Sequence, residues 1–133
     1  MDSQFLLHQI FQHFVVAIGV GLTAHMEAAH LLAFNCGLQL RSRQYPFWLS
    51  EGLATCFEAE SIDAARKGLF GPERDNAIRQ RELASAIAEG TLIPINALVE
   101  MIAADPDEDI ARVMYAQAHS LYRWLHRHER EAL

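Results

Sequence analysis

The chain has 133 residues, of which 51% are hydrophobic and 21% are charged, and its formal net charge is −6. These values predict a single globular domain over residues 1–133 and exclude a disordered chain. The negative charge also excludes nucleic acid and anionic membrane surfaces as favoured partners, since both would repel it.

The N-terminal segment is largely apolar. Its three- and four-residue spacing predicts an amphipathic helix over residues 3–18, with a short strand over 15–22 as the alternative. Polar residues interrupt the segment 5–22, and it has no basic start or clear cleavage site, so we expect no signal peptide and, by default, a cytoplasmic protein. The uninterrupted apolar run 14–22 is too short to span a bilayer, so we expect no membrane span.

Helical periodicity continues along the rest of the chain, which makes the predicted fold mainly α. Glycine and proline breaks and a polar loop over 38–46 separate the predicted helices, which cover 24–36, 47–60, 73–88, 94–103 and 108–130. A turn with a capping carboxylate is expected at 105–107. In the last helix we expect these residues to face the core: Ile110, Val113, Met114, Leu121, Trp124 and Leu125.

The sequence also predicts the exposure of three arginines and the state of the two cysteines. Arg123, Arg127 and Arg130 have the spacing of a solvated helix face. The two cysteines, Cys36 and Cys56, are too few for a disulfide framework and lie in no CxxC pair, which favours buried reduced thiols. A single bridge between neighbouring helices is the alternative for an exported protein.

Residues 24–30 read Ala-His-Met-Glu-Ala-Ala-His, which differs from the HExxH zinc pattern by one additional residue. Without Met26 the two histidines would lie about 40° apart around a helix, so both could bind Zn²⁺ with Glu27 as the general base. As written, His25 and His30 are five residues apart and about 140° apart around a regular helix. Taken alone, the run is also typical of ordinary histidines on an amphipathic helix.

A second segment, Trp48-Leu-Ser-Glu-Gly-Leu-Ala54, places Glu51 21 positions after His30. A catalytic His₂Glu zinc site needs such a glutamate on a second helix, where it supplies the third ligand and leaves the fourth position to water. Gly52 and Ala54 are small, as close helix packing beside a metal requires. The alternative is a carboxylate that is favoured near the helix N-terminus by the helix dipole.

The third segment is Tyr115-Ala-Gln-Ala118, which begins 64 positions after Glu51. A tyrosine hydroxyl facing a polarised carbonyl can stabilise the oxyanion of a tetrahedral intermediate. A tyrosine packed in the core of an amphipathic helix is the alternative.

Together the three segments resemble the gluzincin metallopeptidases, which pair HExxH with a downstream WL-x-EG-x-A helix and, in the aminopeptidase branch, with a tyrosine-containing helix. More closely, residues 27–35, 46–54 and 115–118 resemble uncharacterised gluzincin-like domains from bacteria. The resemblance covers roughly residues 23–126, and Trp-Leu-Ser-Glu-Gly is its most specific part. Four other residues also fit that group: Phe57, Glu58, Asn76 and Arg79.

The resemblance implies that His30 and Glu51 are zinc ligands, that Glu27 is the general base and that Tyr115 is an oxyanion stabiliser. The sequence departs from the family at Met26, which occupies the first-ligand position directly before Glu27. It also has too few residues before the motif for the β-sheet that precedes it in gluzincins, so we expect that sheet to be reduced or absent. The edge strand of that sheet usually holds the peptide substrate.

The role of His25 depends on the origin of Met26. If Met26 is an inserted residue, as the flanking residues favour, a π-bulge over residues 25–29 would turn His25 towards His30 and make it the third metal ligand. If Met26 is a substitution, two ligands remain, because a thioether is a poor ligand for zinc.

We therefore expect a gluzincin-like domain that binds Zn²⁺ and hydrolyses bonds in a peptide or protein substrate, with weakened or lost activity if His25 does not reach the metal. Two alternatives stay open. One is a non-catalytic helical scaffold for protein interaction, derived from a metallopeptidase. The other is a truncated fragment whose missing N-terminal sheet bound the substrate.

Overall fold

A computed structural model describes residues 24–35, 39–40, 42–59 and 61–129, without the side chains of residues 24–27, 32, 35 and 62. Within these ranges the regular structure is entirely α-helical, which confirms the predicted mainly α fold class for this part of the chain. None of the described helices is both long and apolar enough to cross a membrane. The predicted helix over 3–18 and the alternative strand over 15–22 lie outside the described residues.

Six helices make up the described part of the chain: α1 (Ala24–Asn35), α2 (Phe47–Thr55), α3 (Ile62–Arg66), α4 (Ala77–Glu89), α5 (Ile95–Glu100) and α6 (Glu108–His128). The helix predicted over 47–60 begins at Phe47 as expected, but its predicted end was wrong, because α2 ends at Thr55. A bond from the Gly71 N–H to the Cys56 carbonyl (2.6 Å) stabilises the turn after α2. The Ser61 side chain then caps α3 by accepting from the Ala64 N–H at 3.0 Å.

Side-chain caps and glycine explain the limits of the longer helices. Asn76 accepts from the Arg79 N–H, so α4 begins at Ala77 rather than at 73. Gly90, at a φ of 69°, ends α4 in the left-handed conformation. Asp107 caps α6 by accepting from the N–H groups of Asp109 and Ile110, which confirms the expected capping carboxylate.

The central element is α2, which contacts α1, α5 and α6. One buried cluster joins alanines of α1 to Leu53, Ala54 and Phe57 at the C-terminal side of α2. The other joins Phe47 at the start of α2 to Leu98, Met114 and Ala118. Because both clusters contain residues of α2, this helix links the two halves of the core.

The buried face of α6 is more polar than its sequence pattern predicts. Met114 is buried as expected, but the prediction was wrong for Ile110 and Trp124, which are 44% and 54% exposed. The face that packs on α2 carries Ala118 and Tyr122, and Trp124 lies about 200° around the helix from Tyr122. The buried polar residues of α6 are His119, Arg123 and His126.

Helices α2 and α6 approach most closely at Gly52. A Cβ atom placed at Gly52 would lie 2.6 Å from the Ala118 carbonyl oxygen and 2.7 Å from the Tyr122 Cβ. Since both neighbours belong to the backbone or the first side-chain atom of α6, neither can move aside without shifting the helix. Glycine is therefore required here for close packing, as the sequence indicated.

We predict that Gly52→Ala lowers the free energy of unfolding by about 1–3 kcal/mol, because the methyl group overpacks the contact between α2 and α6. Urea unfolding followed by circular dichroism measures this change. Gly90→Asn serves as the control, because nothing lies within 4 Å of its added Cβ and asparagine tolerates a positive φ. Equal losses in the two variants would contradict the steric explanation.

Candidate metal site and its surroundings

The structure brings together two of the residues that the sequence selected as metal ligands. His30 on α1 and Glu51 on α2 face each other, with 3.2 Å between His30 Nε2 and Glu51 Oε2. Both side chains are about one-fifth exposed, at 23% and 21%, so water reaches the pair from one side. A partly open pair of this kind is accessible to a small ligand.

Small residues and the hydrogen bonds of Gln39 set the position of this pair. Ala29 and Ala33 of α1 pack in the same buried cluster as Leu53 of α2, which allows the two helices to lie close together. After α1, the buried Gln39 side chain donates to Ser50 Oγ at 3.1 Å, directly beside Glu51. Its own N–H donates to the Ala33 carbonyl at 2.9 Å, so Gln39 bridges the two helices that hold the pair.

The separation of the two side chains fits a shared zinc ion. Two ligand atoms that each lie about 2.0–2.1 Å from a tetrahedral Zn²⁺ are about 3.3 Å from each other. The observed 3.2 Å matches this value and also matches a hydrogen bond between the two groups. Among the described side chains, no group of three or more His, Cys, Asp and Glu residues is placed to hold a metal.

The other motif residues, His25, Met26 and Glu27, lie in the first turn of α1. The backbone is α-helical throughout 24–35 and shows no π-bulge there, so position 25 lies about 140° around the helix from position 30. The backbone therefore lacks the widened turn that would align His25 with His30. The side chains of 24–27 are outside the described part, so the roles of His25 and Glu27 stay predictions.

Tyr115 is half-buried between α2 and α4. Its ring makes an edge-on contact with Phe47, with 5.1 Å between the ring centres. The Arg79 guanidinium lies over the same ring at 5.2 Å. These contacts position the tyrosine on the inner side of α6, and its role as oxyanion stabiliser stays a prediction.

Glu58, Asn76 and Arg79, which fitted the family pattern, form one polar network between the end of α2 and the start of α4. The Arg79 guanidinium binds both carboxylate oxygens of Glu58, and the Asn76 amide donates to Glu58 and to the Thr55 carbonyl. Burial would lower the pKa of Arg79, but bonds to Glu58 and the charge of Glu82 offset this and raise it. The network is therefore a structural anchor for α4.

His119 of α6 was not selected from the sequence, although the structure places it among the buried polar side chains between α2 and α6. Its Nδ1 lies 3.0 Å from Thr55 Oγ1, and the Thr55 hydroxyl itself donates to the Gly52 carbonyl at 2.8 Å. The hydroxyl therefore accepts from Nδ1–H, which fixes the tautomer of the ring. Burial, then the charges of Arg123 and Arg79, lower the pKa of His119 to about 4.

Sequence reasoning missed His119 because a single histidine inside a helix carries no spacing signal. The one available hint was its position four residues after Tyr115, on the same side of α6.

The thiol of Cys56 lies near the same histidine, with 3.9 Å between Sγ and His119 Nδ1. Cys56 is free and buried, and its Sγ donates to the Gly52 carbonyl at 3.3 Å. Burial raises the pKa of the thiol far above its usual value, so the reactive thiolate is not formed at neutral pH. This confirms the expected buried, reduced thiol for Cys56, whereas Cys36 lies outside the described residues.

Comparison with known families gives one match. Residues 20–133 match a family that is described as a protein of unknown function, DUF1570. No curated protein and no solved structure shows a significant match to the chain.

We predict that His119 makes folding stability fall as the pH decreases from about 6.5 to about 4. The unfolded chain binds a proton at the ordinary pKa of 6.5, whereas the folded chain does so near 4. Between these values this group lowers stability by up to about 1.4 kcal/mol per pH unit. Unfolding measured against pH should show a shallower loss in His119→Gln, and an unchanged profile would contradict the assignment. His128→Gln is the exposed control.

Proposed function

Because the chain belongs to the DUF1570 family, whose function is unknown, we propose a function from its own side chains. We propose that it is a gluzincin-like peptidase domain in which His30 and Glu51 bind Zn²⁺. The reaction is hydrolysis of a bond in a peptide or protein substrate. The contact between His30 and Glu51 across two helices carries this proposal, because the metal motif and the Trp-Leu-Ser-Glu-Gly segment are far apart in the sequence.

The local structure supports this assignment in two ways. The 3.2 Å separation of His30 Nε2 and Glu51 Oε2 suits two ligands of one tetrahedral ion. Both side chains also keep about one-fifth of their surface exposed, so the site is open to water and substrate. The small residues of the two helices and the Gln39 bridge hold the pair in this position.

Each residue then has a defined part in hydrolysis. When bound, Zn²⁺ polarises the substrate carbonyl and makes water a stronger nucleophile at neutral pH. Glu27, three residues before His30 and therefore on the same face of α1, takes a proton from the attacking water and returns it to the leaving amine. The Tyr115 hydroxyl donates a hydrogen bond to the oxygen on which negative charge develops.

A second candidate is a non-catalytic scaffold that keeps the metallopeptidase fold for protein interaction. The uninterrupted α-helix over 24–35 favours it, because position 25 is turned about 140° away from position 30. Two ligands alone bind zinc weakly, since structural and catalytic sites use three or four protein ligands. The two candidates differ in metal affinity and in activity.

We predict that deletion of Met26 raises zinc affinity, because it returns His25 to the i, i+4 position relative to His30. The zinc content of the purified protein, measured by mass spectrometry after equilibration with buffered zinc, gives the result. Met26→Ala is the matched control, since it removes the thioether and keeps the spacing. The deletion combined with His30→Ala should bind no zinc at this site. A deletion variant whose zinc content stays near zero would contradict the proposed site.

We predict that Glu27→Gln abolishes peptidase activity while zinc stays bound, because the change removes the base and keeps both ligands. Tyr115→Phe should slow turnover by a factor on the order of 10²–10³, as for loss of one oxyanion donor. Cleavage of a mixed peptide library, followed by mass spectrometry, measures both effects in the wild-type chain and in the Met26 deletion. The exposed Glu89→Gln is the control.

Activity that survives Glu27→Gln would show that the mechanism is wrong. Absence of activity in both the wild-type chain and the zinc-loaded deletion variant would favour the scaffold.

A further inference from the structure

A groove of about 280 Å³ lies between the first half of α4 and the second half of α6. Its polar lining comes from both helices and consists of Arg79, Gln80, His119, Ser120, Arg123, Arg127 and His128. Among the described residues no aspartate or glutamate lines it, although the whole chain carries a net charge of −6. The groove therefore concentrates positive charge on an otherwise acidic protein.

The charge of this groove comes mainly from Arg123 and Arg127. Arg79 is neutralised by its ion pairs with Glu58 and Glu82. Arg123 was expected on a solvated helix face, but it is buried, and its only ion-pair partner in the described part, Asp75, is 69% exposed. Water screens the charge of Asp75 strongly, so it compensates the buried guanidinium incompletely. Arg127 is exposed at the rim.

The Arg123 guanidinium also keeps unused hydrogen-bond donors. Its Nε donates to the Pro72 carbonyl at 3.2 Å. Its Nη2 makes an ion pair with Asp75 Oδ1 at 2.8 Å, whereas its Nη1 has no hydrogen-bond or ion-pair partner among the described residues. Unmet donors of a buried guanidinium match the oxygens of a phosphate or carboxylate group.

His119 adds an unmet acceptor to the same place. Its Nδ1 edge binds Thr55 of α2, and its ring is part of the groove lining, with Nε2 on the ring edge away from Thr55. Nε2 is buried and has no hydrogen-bond partner. Because Nδ1 carries the proton, Nε2 offers a lone pair. A buried acceptor without a partner is rare in folded proteins and indicates that a ligand or water completes it.

We propose that this groove binds a phosphate group that retains a P–OH, either free hydrogen phosphate or a monoprotonated phosphate ester. Arg123 and Arg127 face the negatively charged oxygens, and the P–OH donates to His119 Nε2. Nε2 is buried in this structure, so phosphate reaches it only when the side chains around it shift. The site involves neither His30 nor Glu51, so its test is independent of the proposed peptidase function.

The arginine donors and the buried acceptor of His119 together select among anions. Sulfate has the shape and charge of phosphate but carries no hydrogen at neutral pH, so it leaves the lone pair of His119 without a partner. A carboxylate in its ionised form has the same deficiency. Phosphate at pH 6 keeps a P–OH, and a phosphate ester keeps one in about half of its molecules. In the anion-free protein His119 is neutral at this pH, because its pKa lies near 4.

Calorimetric titration of the full chain with inorganic phosphate at pH 6 tests the proposal. We expect saturable binding, and at equal ionic strength we expect sulfate to bind about tenfold more weakly, because one hydrogen bond to a buried acceptor is lost. Phenyl phosphate separates the two sources of the ligand. Tighter binding than inorganic phosphate identifies an ester whose organic group contacts Trp124 at the groove, and weaker binding identifies free phosphate.

Variants of exposed arginines check the position of the site without disturbing the core. Arg127→Gln should weaken phosphate binding about fivefold through loss of one charge at the rim. Arg112→Gln, a change on the same helix outside this groove, should leave binding unchanged. The proposal is overturned if phosphate does not bind, if sulfate binds equally well, or if Arg127→Gln and Arg112→Gln have the same affinity for phosphate.

Discussion

The close approach of α2 to α6 at Gly52 is the constraint on which the described structure depends. With no side chain at this position, the backbone of α2 rests directly against Ala118 and Tyr122 of α6. Glu51 is the neighbouring residue, so the depth at which α2 packs also sets where the carboxylate meets His30 of α1. The small residue in the motif thus acts on the site through helix packing.

Hydrogen bonds then hold the two ends of α2 in place. At its start, the Phe47 N–H donates to the Met101 carbonyl at 2.8 Å, which ties α2 to the residue after α5. At its end, the hydroxyl of Thr55 joins His119 of α6, while its carbonyl accepts from the Asn76 side chain before α4. The helix that carries Glu51 is therefore fixed by three other helices, a degree of rigidity that suits a binding site.

The sequence predicted those features that depend on local patterns. Periodicity gave the helical fold, and the capping carboxylate before α6 was predicted from residue type alone. The Trp-Leu-Ser-Glu-Gly spacing indicated that Glu51 and His30 belong together, and they are in contact. Local patterns did not predict which polar side chains are buried through contacts with distant parts of the chain. His119 and Arg123 are buried because Thr55, Asp75 and Pro72 bind them from other parts of the chain.

The largely buried position of the Glu58–Arg79 ion pair, whose side chains are 14% and 13% exposed, has a consequence for the behaviour of the chain in concentrated salt. Mobile ions weaken attractions between exposed charges, such as Asp63 of α3 and Lys67 directly after it, and act much less on largely buried ones. The attachment of α4 to the end of α2 is therefore largely independent of ionic strength. The wall that α4 contributes to the groove between α4 and α6 therefore persists at salt concentrations that screen the attraction of the exposed Arg127 for anions.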